Sequence, residues 1–96
     1  MFLLNITYIK PIEEIDAVLA PHRVWLEELC QRKVVVVSGP KNPRQGGLIL
    51  LSVKTRAEAE AIVAADPFTS AGVSSVEIIE FTPVKYDPDF LPFIPA

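Results

Sequence analysis

The sequence predicts an α+β fold of the ferredoxin-like type, a sandwich of a four-stranded antiparallel sheet with two helices on one face. Segments rich in β-branched and aromatic residues alternate with segments of helical periodicity in the order β-α-β-β-α-β. The length of 96 residues fits one domain, and a hydrophobic content of 50% provides for a core. A charged content of 22% indicates a globular rather than a disordered chain.

The first half of the chain predicts a strand followed by a long helix. Residues 2–9 are mostly aliphatic or aromatic, which indicates a strand that ends before Pro11. Residues 12–33 repeat apolar side chains at helical spacing. Pro21 interrupts this helix, because proline has no N–H to donate to the carbonyl of Ala17. The helix is expected either to kink there or to restart with Pro21 in its first turn.

The second half of the chain predicts the other three strands and the second helix. Ser38-Gly39-Pro40 is expected to end an apolar run and open a loop. Thr55 and Glu58 have the spacing of a capping box, and Pro67 disfavours helix at the residue before it. The predicted elements are a strand at residues 34–37, a loop at 39–47, a strand at 48–53, a helix at 55–65 and a strand at 76–82.

Composition excludes several functional classes. The net charge of -3 argues against a nucleic-acid surface, and no apolar run reaches the ~18 residues of a membrane span. One histidine and one cysteine cannot build a zinc site, so neither a metal nor another cofactor is expected. The single Cys30 is expected to be a buried small side chain. The absence of a signal-peptide pattern and of paired cysteines makes the cytoplasm the expected location.

The strands also predict a second copy of the chain as a partner. The runs at 34–37 and 48–53 are apolar on both faces, yet two helices can cover only one face of the sheet. The same face of a second copy would cover the other, which predicts a homodimer through the sheet face. Residues 86–96, the end of a proline-rich apolar tail that begins at Pro83, are expected to form an extended strap across this subunit or its partner.

His22, the only histidine, is the first candidate for chemistry. Helical periodicity places it in the middle of the apolar face of the first helix, among Val18, Leu19, Leu26 and Leu29. A titratable group that points into a core costs stability unless a partner is present. The position is therefore that of a hydrogen-bonded core histidine or of a functional one.

Asp66 is the second candidate, because the same periodicity places it on the inner face of the second helix with Ala59, Ile62 and Val63. A carboxylate at a helix C-terminus opposes the helix dipole, so local helix stability does not account for it. A carboxylate beside an imidazole fixes the ring tautomer, as in a general acid/base pair. The alternative is that Asp66 caps the turn that follows it.

Further residues are expected to wall a site around this pair. One segment supplies a serine hydroxyl, a glycine and a proline, and two other segments each supply an aromatic ring. An arginine in the predicted loop would attract an anionic substrate. These candidates for substrate binding are Ser38, Gly39, Pro40, Tyr8, Phe68 and Arg44. Tyr8 and Trp25 are more typical of a core or an interface, Lys41 shares the loop with Arg44, and Arg23 is expected to be a solvated charge.

The order of these motifs resembles the YciI-like (YCII-related) proteins. The resemblance rests on the strand ending in Tyr8, on His22-Arg23, on Ser38-Gly39-Pro40, on Gly46-Gly47 and on Asp66-Pro67-Phe68 before Ala71-Gly72. It covers residues 1–85, leaves 86–96 as a separate tail, and implies the dimeric α+β barrel fold of that superfamily. It also implies an active site around His22 and Asp66. Pro21 beside His22 and the tail depart from the family pattern, and the tail could line or close the pocket.

Two functional hypotheses follow from these observations. The first is a cofactor-independent enzyme, a lyase of the dehydrohalogenase type or an isomerase, in which His22 and Asp66 act on a small cyclic or aromatic acid. The resemblance contributes the reaction classes, since dehydrohalogenating lyases occur among YciI-like proteins and isomerases in the wider superfamily. The second is a non-catalytic dimeric protein that binds a small molecule or has a structural role. A monooxygenase is a weaker third, because no residues mark a haem or flavin site.

Overall fold

In the computed structural model, which describes residues 1–95, the chain forms one antiparallel sheet with helices against one face, which confirms the predicted fold class. The sheet order is β2-β3-β1-β4. The first predicted helix consists of two segments, the second is followed by a separate short helix that was not predicted, and a 3₁₀ helix follows the last strand. The elements are β1 (Phe2–Tyr8), α1 (Ile12–Ala17), α2 (Leu19–Gln31), β2 (Val35–Pro40), β3 (Gly46–Leu51), α3 (Arg56–Ala65), α4 (Pro67–Ser70), β4 (Ser74–Glu80) and the 3₁₀ helix Pro88–Phe93.

The first predicted helix restarts rather than kinks. It breaks at Val18, whose φ of -116° and ψ of 10° lie outside the α-helical range. Pro21 then falls in the first turn of α2, where a backbone N–H has no intrahelical partner and its absence costs nothing. Cys30 lies near the end of α2 and is exposed, contrary to expectation, because Leu29 before it takes the position that faces the core.

The bounds of β2 and β3 differ from the predicted ones, and the difference lies at the end of the sheet that carries the candidate residues. Ser38, Gly39 and Pro40 belong to β2 instead of ending it, and β3 begins at Gly46, so the predicted loop is shorter. Strand pairing overrides the turn preference of Gly-Pro, because Pro40 pairs with Gly47. Proline is tolerated there since β2 is an edge strand that ends at this residue.

Two clusters of buried side chains fill the space between the sheet and the helices. The larger one is centred on Phe2, Leu4 and Leu51, which are at most 1% exposed. The smaller one consists of Ile15, Phe68 and Val73. Tyr8, at the end of β1, packs against both clusters. The junction of the two clusters is where the candidate site lies.

The sheet face away from the helices is divided into an apolar and a polar part. Strand registers place Val37, Leu50, Leu3 and Ile79 side by side across all four strands. The neighbouring row on this face consists of Gly39, Leu48, Asn5 and Glu77. It is polar on β1 and β4, where the Asn5 side-chain amide donates to Glu77 at 3.2 Å. This face is therefore less uniformly apolar than the strand sequences suggested.

The C-terminal tail returns to the end of the sheet that lies opposite Tyr8. The Ser52 hydroxyl donates to the backbone carbonyl of Phe93, and Asp87 caps the 3₁₀ helix through the N–H of Asp89 at 2.9 Å. The expected extended strap is thus helical over Pro88–Phe93, since Pro88 suits a first helical position. Ala96, its last residue, lies outside the described residues. None of the helices in residues 1–95 has the length and apolarity to cross a membrane.

Candidate functional site

The site is centred on His22, which the restarted helix α2 directs toward the sheet. The residue is 7% exposed, and its Nδ1 atom lies 2.8 Å from Oδ1 of Asp66. Asp66 is 2% exposed, so water competes little for this hydrogen bond. The two titratable residues that periodicity placed on the inner helix faces are therefore in direct contact.

Asp66 also has the capping role that the sequence left open as the alternative. It ends α3 and is the N-cap of α4, and its Oδ1 accepts the backbone N–H of Phe68 at 2.9 Å. Pro67 favours this arrangement, because it keeps the preceding residue extended and suits the first position of a helix. One carboxylate oxygen thus accepts hydrogen bonds from both His22 and the α4 backbone.

The contact with Asp66 determines which imidazole nitrogen is available for chemistry. An ionised carboxylate has no proton to donate, so Nδ1 of a neutral imidazole ring must carry the hydrogen. The other nitrogen, Nε2, then has a free lone pair, and it is the nitrogen turned away from Asp66. His22 lines a cavity, and Asp66 does not.

Aromatic rings surround the imidazole. The ring of Phe68 is stacked on that of His22, with centroids 3.8 Å apart and planes 4° from parallel. Trp25 is tilted by 38° at 5.6 Å from His22, and Tyr8 meets Phe68 edge to face at 6.0 Å. Phe68 therefore presents a ring face to His22 rather than to the cavity as a whole.

A cavity of about 270 Å³ opens beside the imidazole, between α2, α4 and the ends of β1, β2 and β3. Its volume fits a molecule of about the size of one substituted ring. The residues predicted to bind substrate all line it, namely Tyr8, Ser38, Gly39, Pro40, Arg44 and Phe68. Lys41 and Trp25 do not line it, whereas Tyr8 belongs to both the cavity and the core.

Arg44 supplies a permanent positive charge to this cavity. Its Nη2 donates to Asp16 of α1 at 2.8 Å, and its guanidinium carbon lies 5.8 Å from the ring centre of Tyr8. The hydrogen bond with Asp16, and after it the contact with Tyr8, raises the pKa of Arg44 above its ordinary value. Both side chains of the ion pair are largely exposed, so the pair is open to exchange with another anion.

The sequence did not identify several other residues of the cavity wall. Arg23 is exposed, as expected, and it also lines the cavity; its place directly after His22 was the available signal for this second role. Gly47 was missed because its location follows from pairing with Pro40, which local sequence does not show. The remaining unpredicted wall is apolar and consists of Ile6, Leu19, Leu26, Leu48 and Ile49. Across residues 1–95, no three His, Cys, Asp or Glu side chains are grouped as metal ligands.

Comparison with known proteins agrees with this architecture. A solved structure of 5-chloro-2-hydroxyhydroquinone dehydrochlorinase (TftG) from Burkholderia phenoliruptrix AC1100, in complex with 2,5-dihydroxybenzoquinone, has a similar fold, with a TM-score of 0.68. The alignment covers 84% of this chain and 93% of that one at 23% sequence identity. No curated protein sequence matches the chain. The family model of the YCII-related domain matches residues 1–82, and the chain therefore belongs to the YCII-related domain family.

Proposed function

We propose that this protein is a cofactor-independent enzyme in which His22 acts as a general acid/base and Asp66 orients it. The observation that carries the proposal is the 2.8 Å contact of Nδ1 with a buried carboxylate beside a cavity that His22 itself lines. A histidine with only a structural role gains nothing from adjoining such a cavity. A general base that takes a proton from a substrate needs both a carboxylate that orients it and a cavity that admits the substrate.

The proposed reaction is a lyase step of the dehydrohalogenase type, or an isomerisation that begins in the same way. Nε2 takes a proton from the substrate, and the electrons left behind either expel a halide ion or form an enolate-type anion. In the first case the carbon–halogen bond breaks, and the imidazolium later releases its proton to solvent. In the second case the imidazolium returns the proton to another carbon. The negative charge of Asp66 stabilises the imidazolium formed in both reactions.

The proposed substrate is a small cyclic or aromatic acid. The apolar walls of the cavity favour a ring, and the Ser38 hydroxyl can hydrogen-bond a polar substituent on it. Ser38 pairs with Ile49, whose buried side chain points to the helix side of the sheet, so the hydroxyl belongs to the cavity side. Arg44 would attract the acidic group, since within residues 1–95 its ion-pair partner is the exposed Asp16 alone.

A non-catalytic role is the second candidate, and one observation favours it. The carboxylate of Asp66 already caps α4, so a buried His22–Asp66 pair could serve only to fix the helices on the sheet. The protein would then bind a small molecule in the same cavity without converting it, or have a purely structural role. Binding without turnover would separate this candidate from the enzyme.

The experiment that tests the function combines ligand binding with turnover. The probes are 2,5-dihydroxybenzoquinone, which the Burkholderia dehydrochlorinase binds, and 5-chloro-2-hydroxyhydroquinone, the substrate in that enzyme's name. We expect the first to raise the melting temperature, because a ligand at 100 times its Kd stabilises the native state by about 2.7 kcal/mol. The second is expected to release chloride.

Two arginine variants make this experiment specific to the cavity. Arg44→Gln removes one of the two arginines that line the cavity and should weaken the thermal shift. Arg56→Gln removes an exposed arginine that pairs with Glu60 on α3, and it should leave the shift unchanged. If neither probe nor any of a panel of aromatic acids binds or reacts, the proposed function is wrong. Binding that both variants leave equally intact would contradict the role of Arg44.

We also propose that the protein is a homodimer in which the sheet faces cover each other. The support is the row of Leu3, Val37, Leu50 and Ile79 across the uncovered face. Val37 and Ile79, at the two ends of this row, are 60% and 39% exposed in the isolated chain, which is unusual for members of one continuous aliphatic row. The same patch on a second copy would bury them through a two-fold interface.

Sedimentation of the native protein is expected to give twice the chain mass of 10.6 kDa. Leu50→Lys places a charge in the centre of the proposed interface and should shift the protein to monomer. Val24→Lys is the matched control, because Val24 is 70% exposed on the outer surface of α2. A native protein that sediments as a monomer at micromolar concentration would contradict the dimer.

A further inference from the structure

The stacking of Phe68 on His22 is the closest aromatic contact in the site. The two rings are nearly parallel, 4° apart, at a centroid separation of 3.8 Å. Phe68 is 2% exposed, so most of its surface is taken up by protein contacts and little is left for a ligand. Its ring is itself fixed from another side by Tyr8, which meets it at 90°. The arrangement is one rigid ring pressed flat against the imidazole.

We propose that Phe68 is a positioning residue that holds the imidazole of His22 in a single orientation, with Nδ1 toward Asp66 and Nε2 toward the cavity. The proposal rests on the proposed acid/base role of His22, which it deepens by naming what keeps the base aligned. Phe68 was expected from the sequence to present its ring to a substrate. The stacking geometry assigns the ring to the histidine instead.

The hydrogen bond to Asp66 does not by itself fix the plane of the imidazole ring, so a second contact is needed. Rotation about the Cβ–Cγ bond of histidine has broad, roughly two-fold energy wells, so packing decides the ring plane. A single hydrogen bond to Nδ1 leaves the ring free to tilt around it. A flat ring at 3.8 Å blocks this tilt, and it also blocks the half-turn that would exchange Nδ1 and Nε2, because both motions pass through a perpendicular ring.

The backbone of Phe68 contributes to the same alignment from the side of the carboxylate. Its N–H donates to Oδ1 of Asp66 at 2.9 Å, and this oxygen is the one that accepts from His22. One residue therefore fixes the acceptor through its backbone and the donor through its side chain. The charge of the ring also fits, since the electron-rich face of Phe68 favours the imidazolium that forms when His22 takes up a proton.

The test uses the fact that His22 is the only histidine in the chain. The ¹⁵N NMR spectrum of its imidazole therefore contains a single residue and reports which nitrogen carries the hydrogen. At a pH at which that spectrum shows a neutral ring, the native protein should give one protonated nitrogen, Nδ1, and one unprotonated nitrogen, Nε2. Their two ¹⁵N shifts should be widely separated.

Phe68→Leu removes the ring but keeps an apolar side chain and the backbone N–H. We expect the two ¹⁵N shifts to move toward each other, because the imidazole then samples both tautomers. Trp25→Leu is the matched control, since Trp25 is also near His22 but is tilted at 5.6 Å, and it should preserve the native separation. Phe68→Met, with a flexible side chain of similar length, replaces Phe68→Leu if that variant does not fold.

A folded Phe68 variant that keeps the native separation of shifts would overturn the proposal. So would a Trp25→Leu spectrum that collapses as far as that of the Phe68 variant. If a substrate is found, kcat of Phe68→Leu should fall about 10- to 100-fold, as expected for a misaligned base. The NMR measurement needs no substrate, so lost tautomer control without any turnover would support the positioning role while contradicting the proposed reaction.

Discussion

Replacing His22 by asparagine should lower turnover by about 10²- to 10⁴-fold while leaving the protein folded. The side-chain amide of asparagine can place an N–H near the position of Nδ1, so Asp66 keeps a hydrogen-bond donor. Asparagine has no counterpart of Nε2, so it lacks the atom that would take the substrate proton. The variant therefore removes the proposed base and preserves the contact that a structural role would need.

The measurement is the rate of halide release or of isomerisation with a substrate identified by the binding screen. Circular dichroism and the melting temperature establish that the variant is folded. Val24→Asn is the control for the change in helix propensity, because Val24 lies in the same helix and is 70% exposed. Turnover that survives His22→Asn would exclude His22 as the base.

Replacing Asp66 by alanine should lower the free energy of unfolding by about 1.5–5 kcal/mol. Loss of a helix N-cap costs about 0.5–2 kcal/mol, and a buried donor left without an acceptor costs about 1–3 kcal/mol. Asp66→Ala incurs both costs, since the same oxygen accepts from the N–H of Phe68 and from Nδ1 of His22. Chemical denaturation at a fixed protein concentration measures the loss, because the proposed dimer would couple stability to concentration.

A matched capping residue separates the two contributions. Asp87 caps the 3₁₀ helix by accepting from the N–H of Asp89 at 2.9 Å, but it is exposed and has no histidine partner. Asp87→Ala should therefore cost only the capping contribution. If Asp66→Ala costs no more than Asp87→Ala, the His22 contact does not stabilise the protein.

Asp66→Asn distinguishes the stabilising role of Asp66 from its orienting role. The amide oxygen can still accept from both donors, so the free energy of unfolding should remain near the native value. The negative charge is lost, and with it the stabilisation of the imidazolium formed in the reaction. Turnover is therefore expected to fall far more than stability, and parallel losses would favour the structural candidate.

Helical periodicity identified the central pair because both residues lie in segments long enough to show it. His22 occurs at an apolar position of α2 and Asp66 directly after α3, where it continues the apolar face, and the structure places Nδ1 of His22 2.8 Å from Oδ1 of Asp66. The sequence left the dyad and the cap as alternatives for Asp66. Both roles coexist, because Oδ1 of Asp66 accepts both hydrogen bonds. The sequence did not show this, because α4 has only four residues, too few for a periodic pattern, and Asp-Pro is its only sign.

The residues that were missed or misplaced depend on contacts between distant segments. Gly39 and Pro40 have the local signature of a turn, but pairing with Leu48 and Gly47 keeps them in β2. Arg23 is exposed as expected, but its place in the cavity wall was missed, because a helical projection shows the direction of a side chain and not its length. A long side chain beside His22 can extend to the rim of a cavity that exists only once the sheet is assembled.

The sharing of one Asp66 oxygen by two donors means that the Phe68 amide is a natural sensor of the imidazole. When a ligand or a proton engages the imidazole of His22, the electron density that Oδ1 offers to the Phe68 N–H changes as well. The ¹H and ¹⁵N shifts of that one amide would then register events at the site. A library of compounds can thus be searched by backbone NMR for molecules that engage His22, before anyone knows which of them is transformed.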